Sequence, residues 1–225
     1  MALLVSDLIA DALSFAYPFV PEYATARGPL LRKLSQLDDK VVGEIALNAP
    51  GRLAVAASDI TVVFATNPTG YALQAGATAY FNFKYKYPDG RITPLRVFGD
   101  LIPDTTEAPA AALRGATLFP LDPNKSRWTS PGQYFIGNGD KIGYDYVPGV
   151  VPVTALTQNL ISPDDARQYI VSELTLQVLL AGGIAPQLRI QAAVGDKNDM
   201  WQGLVSWMKG RADMQSSYGL PRGTF

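Results

Sequence analysis

Neither cysteine nor histidine occurs anywhere in the sequence. Their absence excludes disulfides, thiolate nucleophiles, Cys/His zinc sites, His-based triads and imidazole proton shuttles, and with them most familiar hydrolase and metalloenzyme mechanisms. Charge is sparse as well: 17% of residues are Asp, Glu, Lys or Arg, against about 25% in an average globular chain. The two signs nearly cancel, 19 Lys+Arg against 20 Asp+Glu, a formal net charge of -1. No whole-chain field draws in nucleic acid or an anionic membrane, so any such contact is local. No run approaches the ~20 apolar residues that span a bilayer. The apolar N-terminus has no basic flank and carries Asp7 and Asp11, so it does not read as a signal peptide, and synthesis in the cytosol is expected.

What is abundant is turn-forming and amphipathic: 20 Gly, 17 Pro, and 11 Tyr against 9 Phe. The 225 residues suffice for one large or two small cores. Residues 1–57 read as helical. Ser6 is placed to cap a helix whose apolar positions Val5, Leu8, Ile9, Ala12, Leu13 and Ala16 follow the i, i+3, i+4 rule, with Pro18 and Pro21 ending it. A second stripe, Leu30, Leu34, Leu37, Val41 and Ile45, predicts a helix over 26–47, with Arg32, Lys33, Asp38, Asp39, Lys40 and Glu44 off the stripe. Asn48 and Pro50-Gly51 stop it.

Over 58–160 the period falls to two and turns multiply. The pattern predicts strands at 59–64, 77–87, 92–98, 116–121, 133–137, 141–147 and 150–156. In the clearest of them, Phe81, Phe83, Tyr85 and Tyr87 share one face and Tyr80, Asn82, Lys84 and Lys86 the other, and Pro88-Asp89-Gly90 supplies a hairpin turn. Seven short strands suit a small antiparallel sandwich or barrel. Ser162-Pro163-Asp164-Asp165 then carries the marks of a helix start. The stripe Ala166, Tyr169, Ile170, Leu174, Leu176 and Val178 runs to Gly182-Gly183. A last helix from Pro186 places Trp201, Leu204, Val205 and Met208 on one face, with Trp207 adjacent. After Met208 the apolar periodicity is lost.

The expected fold is α+β. The N- and C-terminal zones, 1–57 and 161–208, form one discontinuous helical bundle; an inserted β sandwich or barrel occupies 58–160, and an extended arm 209–225.

Chemical motifs are few. Asp38-Asp39 and Asp164-Asp165 are neighbours that diverge on a helix, which suits solvated or capping roles rather than paired catalysis. Gly137 to Gly143 has the wrong spacing for a dinucleotide loop and reads as a β-turn. Lys84 and Lys86 stand opposite the aromatic row, as a half-buried strand requires, whereas a nucleic-acid stacking platform exposes both on one face. No catalytic, metal or cofactor residue is assigned. Trp201 and Trp207 either pack the helical core or, being of the type enriched where proteins meet partners, contact one, and Met214, Tyr218, Leu220 and Phe225 are spaced apolar anchors on a tail that either orders on a partner or is a frayed terminus.

The helical zone around Ser6 to Ala16 and Pro29 to Leu47, the C-terminal pair opening at Ser162-Pro163-Asp164-Asp165-Ala166, and the tail after Trp207-Met208-Lys209 together resemble the head-to-tail connector (adaptor, or neck) proteins of tailed bacteriophages. The resemblance covers slightly over half the chain. The inserted β zone departs from the minimal all-helical adaptors.

The resemblance implies a non-enzymatic structural protein of the virion neck, made in the host cytoplasm and forming a homo-oligomeric ring, a dodecamer matching portal symmetry. It also implies an arm that binds portal protein through Lys209, Arg211, Met214, Tyr218, Leu220, Arg222 and Phe225, with Trp201 and Trp207 as interface residues. A tail-side neck or tail-terminator protein is received on another face, and DNA passes through the ring without sequence-specific binding. No membrane and no cofactor are implied. Two other readings stay open from the residues alone: a β-domain ligand- or glycan-binding module on a helical oligomerisation base, and an enzyme using Asp, Glu, Ser, Lys or Tyr.

Overall fold

The computed structural model describes residues 3–17, 19, 27–63, 65–67, 69–99, 109–120 and 136–216, with the side chains of 27 and 210–216 excepted. The fold is α+β, and the chain divides into two compact units: Met1–Leu53 with Gly149–Phe225, and Ala54–Pro148. The first unit is helical and discontinuous, the second is the β insertion. The insertion boundaries differ from 58–160. Residues 54–57 join the β unit because Val55–Ala56 pairs with a strand there, and 149–160 join the helical unit because they bond to its helices.

The helical unit contains α1 (Val5–Ala16), α2 (Arg27–Asn48), α3 (Arg167–Gly182) and α4 (Gln187–Ser216). Helix α3 lies at the centre, packed against α1, α2 and α4. Tyr169, Ile170, Val171, Leu174, Leu176, Val178 and Leu179 bury most of its circumference. Against them stand Leu8 and Ile9 of α1, Leu34, Val41 and Ile45 of α2, and Leu204 and Met208 of α4. Each fully buried Leu or Ile side chain contributes about 1.5–3 kcal/mol relative to exposure. Gly183 ends α3 at φ 68, a left-handed conformation that a side chain resists. Glu173 of α3 receives Lys33 of α2 at 2.9 Å and Lys197 of α4 at 3.8 Å, so one carboxylate bridges three helices.

Two helix starts differ from expectation. Ser6 lies inside α1, its hydroxyl turned to Asp7, and caps nothing. The first N–H groups of α1 are met instead by returning chain: Val5 N–H donates to the Gln158 carbonyl and Ser6 N–H to that of Leu156, both at 3.0 Å. Leu160 N–H reaches the Leu3 carbonyl at 2.9 Å, and Leu4 bridges Asn159. Residues 150–156, expected as a strand, therefore form a strap across the helices, with Val153 N–H donating to Ser35 Oγ at 2.7 Å. Ser162 is likewise no helix cap. A short 3-10 turn, Asp164–Ala166, precedes α3 without a side-chain cap, and Ser162 bonds to Asp38. Asp38 is 1% exposed and so corrects the expectation that it is solvated.

The β unit holds two sheets. One has the order β1 (Val55–Ala56), β9 (Lys141–Val147), β4 (Ala79–Lys86), β5 (Ile92–Pro94), with β2 (Ile60–Thr61) pairing farther along β9. The other runs β3 (Tyr71–Ala72), β8 (Thr117–Pro120), β7 (Ala110–Arg114), β6 (Arg96–Phe98). Pairs are antiparallel except β6 with β7, which is parallel, so the sandwich is mixed rather than wholly antiparallel. The expected strand 92–98 breaks at buried Leu95 and sends its halves to different sheets. Phe83, Tyr85, Ile142 and Tyr144 from the first sheet share a core with Tyr71, Ala111 and Leu118 from the second.

Strand β4 also departs from simple alternation. Between Phe81 and Lys84 its register against β9 slips by one residue, and Asn82 takes φ 52. This is a bulge, which turns the side-chain parity over. Tyr80 faces the core before it and Phe83 and Tyr85 after it, and Phe81 is not among the residues of that core. Of the expected strand 133–137, residues 133–135 lie outside the described residues and 136–137 are not strand.

Candidate functional site

The candidate partner-binding residues sit on and beyond α4. Pro186 opens that helix, its carbonyl accepting the N–H groups of Arg189 (2.9 Å) and Ile190 (3.2 Å), and α4 then continues for 30 residues. Residues 209–216, expected to be extended, prolong it. Loss of apolar periodicity supplies no stop, and no proline occurs between Pro186 and Pro221. Met208, 1% exposed, is the last buried side chain among the described residues, and Lys209 is exposed. Arg211 and Met214 fall on the helical backbone. Tyr218, Leu220, Arg222 and Phe225 lie outside the described residues.

Trp201 and Trp207 are held inside the helical unit. The Trp201 ring lies 4.8 Å from that of Tyr169 on α3. Lys40 of α2 places Nζ 4.1 Å from the Trp201 centroid and donates to Tyr169 Oη at 2.8 Å. Trp207 lies beneath the Arg52 guanidinium, 4.3 Å from ring centroid to Cζ, in the 3-10 turn Pro50–Arg52 that follows α2. Each indole thus carries a cation on its face. The two tryptophans fasten α4 to α2 and α3. Neither Lys40 nor Arg52 was expected at a tryptophan, because cation–π pairing between distant chain segments leaves no local spacing signal.

Carboxylates gather at the other motif positions without converging. Asp11 accepts from Arg167 Nη2 at 2.8 Å, and that bond, with the further negative charges of Asp164 and Asp7, raises the guanidinium pKa above its already high value. Asp39, Asp164 and Asp165 are exposed. Among the described residues no three Asp or Glu side chains are grouped so as to hold a metal ion.

In the β unit the hydroxyls of Tyr80, Tyr85 and Tyr144 are engaged. Tyr85 donates to the Asp140 carboxylate, which also accepts the Gly137 N–H at 2.6 Å. The segment 137–140 is therefore the expected turn, closed by Gly139 N–H donating to the Val62 carbonyl at 2.8 Å. Tyr144 Oη accepts from Gln74 N–H at 2.8 Å, and Tyr80 Oη donates to the Gln74 carbonyl at 2.6 Å. Phe83 and Tyr144 stack at 5.6 Å. Lys86 pairs with Asp59 at 2.7 Å. The aromatic row is spent on packing and on pinning loops.

No protein-family model matches the chain, and no curated protein sequence matches it.

Proposed function

We propose that the chain is a non-enzymatic ring subunit that joins the portal vertex of a phage capsid to the tail. The observation that carries this reading is the end of α4: Met208 is the last buried side chain among the described residues, yet the helix runs on to Ser216 and the sequence to Phe225. A segment bearing Lys209, Arg211, Met214, Tyr218, Leu220, Arg222 and Phe225 supplies both cationic and apolar contacts to a partner. In this reading it enters portal protein, and the four-helix base built from both chain ends is the ring body. A near-neutral chain suits a ring through which DNA passes without being read. The ring is a dodecamer, with a tail-side neck or tail-terminator protein bound on another face.

The test is deletion of 209–225, which leaves every buried side chain of the described residues in place. The shortened chain is expected to keep its helical signal and melting temperature and to lose attachment to the portal of its own phage. Undiminished portal binding by the shortened chain would overturn the assignment. The alternative of a ligand-binding β module gains no support from the aromatic row, whose rings at Phe83, Tyr85 and Tyr144 are buried.

A further inference from the structure

At the end of the helical unit where α1 stops and α3 turns into α4, five large apolar side chains stand in the open. Phe15, Tyr17, Leu180, Ile184 and Leu188 are each between 54% and 79% exposed. Arg189 Nη2 donates to the Phe15 carbonyl at 2.8 Å, which sets the first turn of α4 beside the last turn of α1. The five side chains together expose on the order of 500 Å², at the upper end of the largest apolar patch on an ordinary monomer.

Asp11, the last acid on α1, is paired with Arg167, and Arg189, hydrogen-bonded to the neutral Phe15 carbonyl, keeps its positive charge beside the apolar side chains. A surface so largely apolar favours an apolar partner over a strongly basic one. Among the described residues of the helical unit, the remaining exposed large apolar side chains are Leu47 on α2, Val151 on the strap, and Val194 and Met200 on α4, the last two only 37% and 36% exposed. They lie on three different elements, so among the described residues of that unit no second apolar corner stands to meet this one in a head-to-tail contact. The described surface of that unit that matches it in apolar character is the same corner on another copy.

We infer that a second copy of this chain covers this corner in a two-fold pair. In such a contact the same patch serves both sides. Two corners together bury on the order of 1,000 Å² of apolar side chain, enough with a polar rim to reach the lower bound of a specific interface. Dissociation constants on the order of micromolar are expected for it. The inference goes beyond the connector reading and does not rest on it. A two-fold contact cannot be continued round a single ring, so on a portal the pair has to part or two rings have to face each other.

The absence of native cysteine makes the test direct. Single variants Leu188→Cys and Ile184→Cys, oxidised in solution, are expected to give covalent dimers, whereas Leu47→Cys on the exposed end of α2 is not. In sedimentation equilibrium the unmodified chain is expected to pair across the micromolar range. Leu188→Lys should weaken pairing by roughly tenfold or more, and Leu47→Lys should leave it unchanged. A chain that stays monomeric throughout overturns the inference, as does an oligomer indifferent to Leu188→Lys. A chain ending at Ser216 that pairs while the full chain does not also overturns it, because the protein's own tail then occupies the corner. Portal binding by Leu188→Lys reads the connector assignment separately.

Discussion

Asp38, in the middle of α2, accepts both the backbone N–H (2.8 Å) and the hydroxyl (2.5 Å) of Ser162, a residue 124 positions later in the chain. Its second oxygen takes the N–H of Ile161 at 3.1 Å. One buried carboxylate thus receives the chain as it returns from the β insertion and aims it into α3.

Removing that carboxylate strands two N–H groups and a hydroxyl away from water. Asp38→Ala is expected to lower stability by about 3 kcal/mol. Asp38→Asn, which keeps one carbonyl acceptor, is expected to lose less. Urea unfolding followed by circular dichroism at 222 nm measures both, and equal losses for the two variants would show that acceptance of these bonds is not what Asp38 supplies.

Burial first, and then the hydrogen bond to Asp140, hold the Tyr85 phenol above its ordinary pKa of 10.0. The folded protein keeps a proton that the unfolded chain releases once pH exceeds about 10. Tyr85 therefore contributes its full stabilisation below pH 10, and the contribution declines as pH rises above it. Tyr85→Phe is expected to cost about 1–2 kcal/mol at neutral pH and to flatten the alkaline fall in stability. Unfolding curves between pH 8 and 11.5 test this; a variant with the parent's alkaline slope would refute it.

Gly195 and Gly203 lie within α4 with nothing inside 4 Å of where a Cβ would stand. Each costs helix stability through backbone entropy without relieving a clash. Gly195→Ala and Gly203→Ala are each expected to raise the stability of the isolated chain by about 0.5–1 kcal/mol. Chemical denaturation of the single and double variants checks the sign and the additivity.

Helix positions were legible because their signals are local. Gly182-Gly183, Pro186 and Asn48 stand where α3 ends, α4 begins and α2 ends. The β insertion was visible as a change of period, and strand 141–147 matches β9 residue for residue. What could not be read depended on distant partners. The parity of β4 inverts at Asn82, an otherwise ordinary residue whose amide donates to Asp145 on the neighbouring strand. Val151-Pro152-Val153 alternates like a strand, but its partners are helices, and Ser35 takes the Val153 N–H. At the candidate site, the apolar pattern is lost after Met208, the last buried side chain among the described residues. That loss did not mark where the helix ends, since a helix keeps its backbone hydrogen bonds until something breaks them.

The strap has a consequence during synthesis. The first turn of α1 is completed by the carbonyls of Leu156 and Gln158, and α1 packs chiefly on α3, so a nascent chain holds Leu8, Ile9 and Ala12 without that partner until the whole insertion has left the ribosome. At about 5–20 residues per second that interval is on the order of ten seconds. A β insertion that folds by itself during the wait would leave only the N-terminal segment in need of a chaperone.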